Sequence, residues 1–265
     1  MQRKFLEIDS VTDYLLKVRE CEECYQKVSK ENIEYYRNRA QGNLGLQEAL
    51  RYYEERQMCP IMYRGHSDKS YKLYPSAYRE ESKDPHYYYN EARRIYPDAF
   101  QRLSIFETLS KMQHYGIPTS LLDVTTNPLV ALFFACCSKK DKDGIVYSFP
   151  ALPISNENEV VKSISEYMVL SADEQGAYLR EYEIDKENLF VVRPCCVDDR
   201  MIRQQGYFIL CAKKDDRISK ASLFSFKIHQ KDKPKICDEL DKLGINEFTL
   251  FGNLDYLGKY LSRRA

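Results

Sequence analysis

Nine consecutive residues, Leu129 to Cys137 (LVALFFACC), carry no charged or strongly polar side chain. They follow Asn127-Pro128, an N-cap residue and a proline at the first helical position. A helix apolar on every side belongs in a protein interior, so the chain must cover it with other elements. The residues just before it are of the opposite kind. From Lys111 the chain reads KMQHYGIPTSLLDVTTNP, with His114, Tyr115, Thr119, Ser120, Asp123, Thr125 and Thr126 crowded at the mouth of the buried element. Capping accounts for Asn127 and Thr126. It leaves His114, Thr119 and Asp123 without a structural reason.

A chain of 265 residues can bury a substantial core. Its 40 basic and 40 acidic side chains cancel, so the bulk electrostatic footprint of a nucleic-acid binder is missing. The start, MQRKFL, leads into acids and polar residues and does not read as a secretion signal. No apolar run reaches the roughly 18 residues needed to span a bilayer. Nine cysteines form no regular framework. Cys21 and Cys24 share one face of a predicted helix, and no second pair stands at zinc spacing. Cys136-Cys137 and Cys195-Cys196 are adjacent pairs that bridge only with strain. Reduced thiols and a cytoplasmic location are the expectation.

Asp9 or Ser10 is expected to cap a helix running to about Lys27, and Gln47 to Gln57 a second one before Pro60. IMYRGHS (Ile61 to Ser67) reads as a strand reaching a glycine. Tyr71 to Arg79 reads as irregular, and Asn90 to His114 as helical with a break at Pro97. GIVYSFP, NLFVVRP, GYFILCA and SLFSFKIH are strand candidates, with two polar helices between Glu157 and Arg180. Lys233 to Leu243 reads as a helix ended by Gly244. EFTLF, Glu247 to Phe251, reads as a last strand, followed by a terminal helix capped by Asn253 or Asp255. Short strands among helices predict an α+β fold, a mixed or antiparallel sheet flanked by helices. The organisation expected is a helical N-terminal extension over residues 1–60 and one domain over residues 61–265.

Four segments carry candidate chemistry. In YRGHS, Arg64 at a strand end beside Gly65 can present a planar guanidinium to a phosphate or carboxylate, with His66 adjacent. In the polar block, a histidine held near a carboxylate, His114 with Asp123, has the makings of a general base. The set Ser120, His114 and Asp123 lacks the G-x-S-x-G turn of a hydrolase. In DRMIRQQGYFIL, Arg200, Arg203, Gln204 and Gln205 lead into a strand. Glu247 opens the last apolar segment and is either a buried site carboxylate or a cap. Phosphate-loop, dinucleotide-fold and H-E-x-x-H motifs are absent, and scattered histidines argue against a metal.

MYRGHSDKSYKLYPSAYR, QHYGIPTSLLDVTTNPLVALFFA, VVRPCCVDDRMIRQQGYFIL and TLFGNLDYLGKYL resemble, in order, four blocks of FRG domains, bacterial and phage modules named for a Phe-Arg-Gly triplet. The resemblance spans about Ile61 to Leu261. Tyr63 stands in place of the name-giving Phe, His66 in place of a usual Gln, and Ser120 in place of a common Arg. The order of an early Arg, a Ser/Thr cluster entering a helix and a late Glu is also similar to ADP-ribosyltransferases of the Arg–Ser-Thr-Ser–Glu type. That likeness implies NAD as substrate, with Arg64 on its diphosphate and Gly65, His66, Tyr115, Thr119, Thr125, Arg200 and Gln204 around it. Glu247 would then be the catalytic carboxylate, with His114 and Asp123 beside the reacting ribose. The role implied is an effector in bacterial conflict or defence, acting on a protein or RNA acceptor. A non-catalytic sensor of a nucleotide or protein, and a nuclease or other hydrolase, are the alternatives.

Overall fold

A computed structural model describes residues 4–57, 59–79, 82–183, 189–194, 199–214, 217–252, 256–258 and 261–262. In chain order the elements are β1 (Lys4–Ile8), α1 (Val11–Arg37), α2 (Leu44–Gln57), β2 (Ile61–His66), α3 (Pro85–Ile95), α4 (Pro97–Phe100) and α5 (Ile105–His114). Next come β3 (Leu121–Thr125), α6 (Pro128–Cys136), β4 (Gly144–Pro150), β5 (Ile154–Ser155), α7 (Glu159–Met168), α8 (Ala172–Glu181) and β6 (Phe190–Arg193). The chain continues with α9 (Asp199–Arg203), β7 (Gly206–Leu210), α10 (Arg217–Ala221), β8 (Phe224–Ile228), α11 (Lys233–Lys242) and α12 (Glu247–Phe251). The strands form one mixed sheet in the order β1-β8-β4-β2-β3-β7-β6-β5, with helices packed against it. This is the α+β architecture expected from the sequence.

Several elements differ from expectation: β3 and the short β5 are not among the strand candidates of the sequence, and α1 runs on to Arg37, past the expected end near Lys27. The helical N-terminal segment is preceded by a strand, β1, which pairs in parallel with β8 from Lys4↔Phe224 to Ile8↔Ile228. Five residues with an exposed Phe5 give too little alternation to announce a strand. Glu247 to Phe251 is a helix, not the last strand. The Asn246 side chain accepts from the Thr249 amide, Thr249 Oγ1 accepts from the Asn246 amide, and Gly252 closes the helix at φ +70°. Its β-prone composition is overruled by a cap at each end. The Asn253 or Asp255 cap falls outside the described residues.

α6 fixes the middle of the fold. Asn127 Oδ1 accepts from the amides of Leu129 (2.9 Å) and Val130 (3.4 Å), satisfying the open helix end. The helix then lies almost directly on the strands beneath it. A β-carbon at Gly65 would stand 1.9 Å from the carbonyl oxygen of Ala131, and one at Gly144 2.4 Å from that of Ala135. Two glycines on neighbouring strands and two alanines one turn apart on α6 therefore set the helix-to-sheet distance. On the same side, buried Tyr14 of α1 packs edge-on against Phe226 and donates to the Pro128 carbonyl at 3.2 Å.

The far end of α6 is held by a buried cation. Lys233 is fully buried, and its Nζ donates to the carbonyls of Ser67 (2.6 Å), Lys139 (3.0 Å) and Ser138 (3.3 Å). Burial lowers its pKa from the ordinary lysine value. Two of these carbonyls lie just past the C-terminus of α6 and the third just past β2, and together they supply the partial negative charge that offsets the desolvation.

The sheet is continuous in order but not in contact. β2 runs in register with β4 from Ile61↔Pro150 to His66↔Ile145, and β3 with β7 from Leu121↔Leu210 to Thr125↔Gly206. Between β2 and β3 the register consists of Tyr63↔Thr125 alone. Beyond that pair the strands part, giving two four-stranded halves, β1-β8-β4-β2 and β3-β7-β6-β5.

Replacing Gly65 by Ala forces α6 off the sheet, and we expect a loss of about 3 kcal/mol or more in urea unfolding. Lys233→Met leaves its carbonyl partners unsatisfied and should cost about 3 kcal/mol in the same measurement. A change below about 0.5 kcal/mol in either variant would contradict this packing.

Candidate functional site

Where β2 and β3 part, a cleft of about 150 Å³ opens. Arg64 and Gly65 border it from β2, Asp123 and Thr125 from β3, Ala131 and Phe134 from α6. Arg200 and Met201 of α9, Gln204 just after it and Tyr207 of β7 close the remaining side.

The guanidinium of Arg64 spans the gap. Its Nη1 donates to the main-chain carbonyl of Asp123 at 2.5 Å and lies 3.6 Å from the Asp123 carboxylate. In a continued ladder Asp123 would stand opposite Gly65, so a side chain bridges where the backbone pairing has stopped. The Arg64 side chain is only 14% exposed. Burial pushes its pKa down, the Asp123 charge opposes this, and the group remains a cation at any working pH. Its Nε donates to His66 Nε2 at 3.0 Å, while Nη2 has no hydrogen-bond partner among the described residues.

His66 is held as a neutral ring. Burial first, and then the Arg64 charge, push its pKa down to about 3. With Nε2 accepting from Arg64, the proton resides on Nδ1, which faces the Tyr71 carbonyl at 3.3 Å. The residue therefore steadies Arg64 from behind.

Asp123 is held from the other side. Gln113 Nε2 donates to Asp123 Oδ2 at 2.8 Å, and Thr119 Oγ1 donates to Gln113 Oε1 at 2.6 Å. The side chain of Asp123 is 53% exposed. Thr125 is occupied within the fold: its hydroxyl donates to the Gln204 carbonyl at 2.7 Å and accepts from the Asn127 amide at 3.0 Å. The short helix α9 is tied down at several points. Arg200 Nη1 donates to the His114 carbonyl at 3.3 Å and its guanidinium lies 4.7 Å from the centre of the Phe251 ring. Gln204 Nε2 donates to the Leu250 carbonyl at 3.3 Å.

Of the residues singled out in the sequence, Arg64, Gly65, Asp123, Thr125, Arg200 and Gln204 border the cleft. Gly65 does so for packing, since α6 fills the space beside it. His66 and Thr119 are buried behind the lining and act through Arg64 and Gln113. His114 meets the rim through its carbonyl, and Tyr115 is 69% exposed. Glu247 does not border the cleft. It begins α12 near Cys137, one turn beyond Phe134, where it adds to the burial that raises the Cys137 thiol to about 11. Ser120 is fully buried, so the departure from the common Arg falls in the core and not in the cleft lining. Gln113 is the residue that sequence reasoning missed; it stands ten positions before its partner Asp123 and shares no periodicity with it. Cys21 is buried and Cys24 exposed, and among the described residues no group of three or more His, Cys, Asp and Glu is placed to hold a metal. Cys195 and Cys196 lie outside the described residues. Among those described, no helix is long and apolar enough to cross a membrane.

The His66 geometry has a consequence for acid stability. Unfolded, the ring binds a proton near pH 6.5, whereas folded it does so only near pH 3. Its contribution is thus complete above about pH 6.5 and is lost as pH falls toward 3, a loss of order 4 kcal/mol. A Gln carbonyl at this position can also accept from Arg64 Nε and does not titrate. His66→Gln should therefore flatten the decline in urea midpoint between pH 6.5 and 4; an unchanged slope would show that the ring is not buried neutral.

Against known proteins, no curated protein and no solved structure matches the chain. A family model does match, over residues 60–144, and its description is the FRG domain. The matched segment runs from the strand bearing Arg64, through the block that places Gln113, Thr119 and Asp123, to the start of β4. The match to the FRG domain covers about a third of the chain, and both cleft residues that face each other across the parted strands lie inside the matched segment.

Proposed function

We propose that the cleft binds a phosphorylated nucleotide, NAD in the first instance, and that Asp123 promotes cleavage of its nicotinamide–ribose bond. The observation behind this reading is the convergence of Arg64 and Asp123 on one cleft from strands that have ceased to pair. Arg64 and Arg200 supply two cations for a diphosphate, and the Arg64 fork leaves an edge directed away from its protein partners. The enclosed volume is below the roughly 300–1,000 Å³ of pockets that take in a whole ligand. A dinucleotide would seat one end here and lie across the α9 rim with the other.

In the reaction, the bond between ribose C1′ and the nicotinamide nitrogen breaks and its electron pair leaves with nicotinamide. Positive charge develops on the ribose, and the Asp123 carboxylate stabilises it where it forms. An acceptor oxygen, from water or from a hydroxyl of a protein or RNA acceptor, bonds to C1′ and gives up its proton to solvent water. Asp123 takes the role assigned to Glu247 by the transferase likeness, because Glu247 stands outside the cleft lining.

A sensor without turnover is the second reading. It is favoured by the engagement of the Asp123 carboxylate with both Arg64 and Gln113, which suits a fixed structural anion as well as a reacting one. Incubation with NAD and measurement of released nicotinamide separates the two. Asp123→Asn should lower release by about 100-fold or more while NAD binding persists, and Arg64→Ala should abolish binding. No release from the wild-type chain, with binding still dependent on Arg64, would establish the sensor. Loss of release in Glu247→Gln but not in Asp123→Asn would return the catalytic role to Glu247.

A further inference from the structure

We infer that Gln113, fixed by Thr119, is the positioning residue that presents one defined oxygen of Asp123 to the cleft. This rests on the reading of Asp123 as the reacting carboxylate.

A half-exposed aspartate on a strand is ordinarily free to rotate about its side-chain bonds. Here the rotation is stopped at Oδ2, which accepts from Gln113 Nε2 at 2.8 Å and faces Arg64 Nη1 at 3.6 Å. Both contacts fall on the same oxygen. Oδ1 has no hydrogen-bond partner among the described residues and is the oxygen left for a ligand.

An amide can face a carboxylate usefully in only one of its two orientations, since its own oxygen would repel the anion. The chain of donors settles which one is adopted. The Leu121 amide, a group that can only donate, points at Thr119 Oγ1 at 3.2 Å. The Thr119 hydroxyl, free to donate, meets Gln113 Oε1 at 2.6 Å. With its oxygen taken, Gln113 turns its NH2 group to Asp123. The direction of every bond follows from the two ends of the chain, the Leu121 amide that can only donate and the Asp123 carboxylate that can only accept. Thr119 is 1% exposed, does not line the cleft and makes no hydrogen bond to Asp123 among the described residues, yet it determines how the carboxylate is held.

The arrangement also explains the spacing of the polar block. Gln113 occupies the last turn of α5, Gly116 reverses the chain at φ +75°, and the Ile117 amide closes the helix onto the Met112 carbonyl at 2.9 Å. The return brings Thr119 under Gln113 and β3 alongside it.

The test uses the full chain with Gln113→Leu, Thr119→Val and Thr119→Ser, read in two ways. In nitrogen–proton correlation spectra, the Gln113 side-chain amide should stand apart from free amides in wild type and Thr119→Ser, and collapse to the free position in Thr119→Val. In nicotinamide release from NAD, Gln113→Leu should lower kcat by about 100-fold, with KM within about twofold because Arg64 is untouched. Thr119→Val should fall in the same direction and Thr119→Ser should restore the rate. The inference is overturned if Thr119→Val keeps the wild-type amide signal, or if Thr119→Ser is as impaired as Thr119→Val. The spectra need no turnover, so they decide the relay even if wild type releases no nicotinamide and the catalytic reading fails.

Discussion

The guanidinium of Arg64 stands where a backbone ladder ends. β2 and β3 share one registered pair and then separate, and the Asp123 carbonyl that a continued sheet would absorb is met by Nη1 instead. A buried arginine is costly unless its donors are met, and three groups meet Nη1 and Nε: a carbonyl, a carboxylate and a neutral imidazole. Two belong to Asp123 and the third to His66. β3 contributes Asp123, the end of β2 contributes His66, and the Tyr71 carbonyl sets the tautomer of that ring. The gap is therefore a constructed feature, closed behind by apolar packing and open in front.

The packing that keeps the gap open is short-range and unforgiving. Because α6 rests on Gly65 and Gly144 at backbone distance, the helix cannot slide without moving β2. Tyr63, one residue before Arg64, is buried and its hydroxyl donates to Glu22 of α1 at 2.5 Å. Strand β2 is thus held by α1 at Tyr63 and by α6 at Gly65, and the arginine between them has little freedom. Rigid support of this kind is what a binding group needs if a ligand is to find it in place.

Much of this architecture can be read in the residues. The Asn127-Pro128 cap and the apolar run after it specify a buried helix, and that helix is present at Pro128–Cys136. Most strands announce themselves by apolar runs between turn residues. What stayed hidden has physical reasons. β1 is five residues at a sheet edge, stabilised by pairing with β8, a partner more than 200 positions away. The segment Glu247–Phe251 has the composition of a strand, and only its Asn246–Thr249 capping box and Gly252 identify the helix. At the site, Arg64 and Asp123 could be picked out by type and position. Gln113 could not, because its role depends on the Gly116 reversal that brings a helix end beside a strand. His66 and Thr119, expected around a ligand, are buried behind the cleft lining and hydrogen-bond to Arg64 and Gln113.

The central claim is that the parted strands hold a nucleotide, with its phosphates on Arg64. A crystal structure of the chain with ADP-ribose tests it most directly. The account predicts diphosphate oxygens within hydrogen-bond distance of Arg64 Nη2 and the terminal ribose beside Asp123 Oδ1. A ligand bound elsewhere on the molecule, or an empty cleft at saturating ADP-ribose, would contradict it.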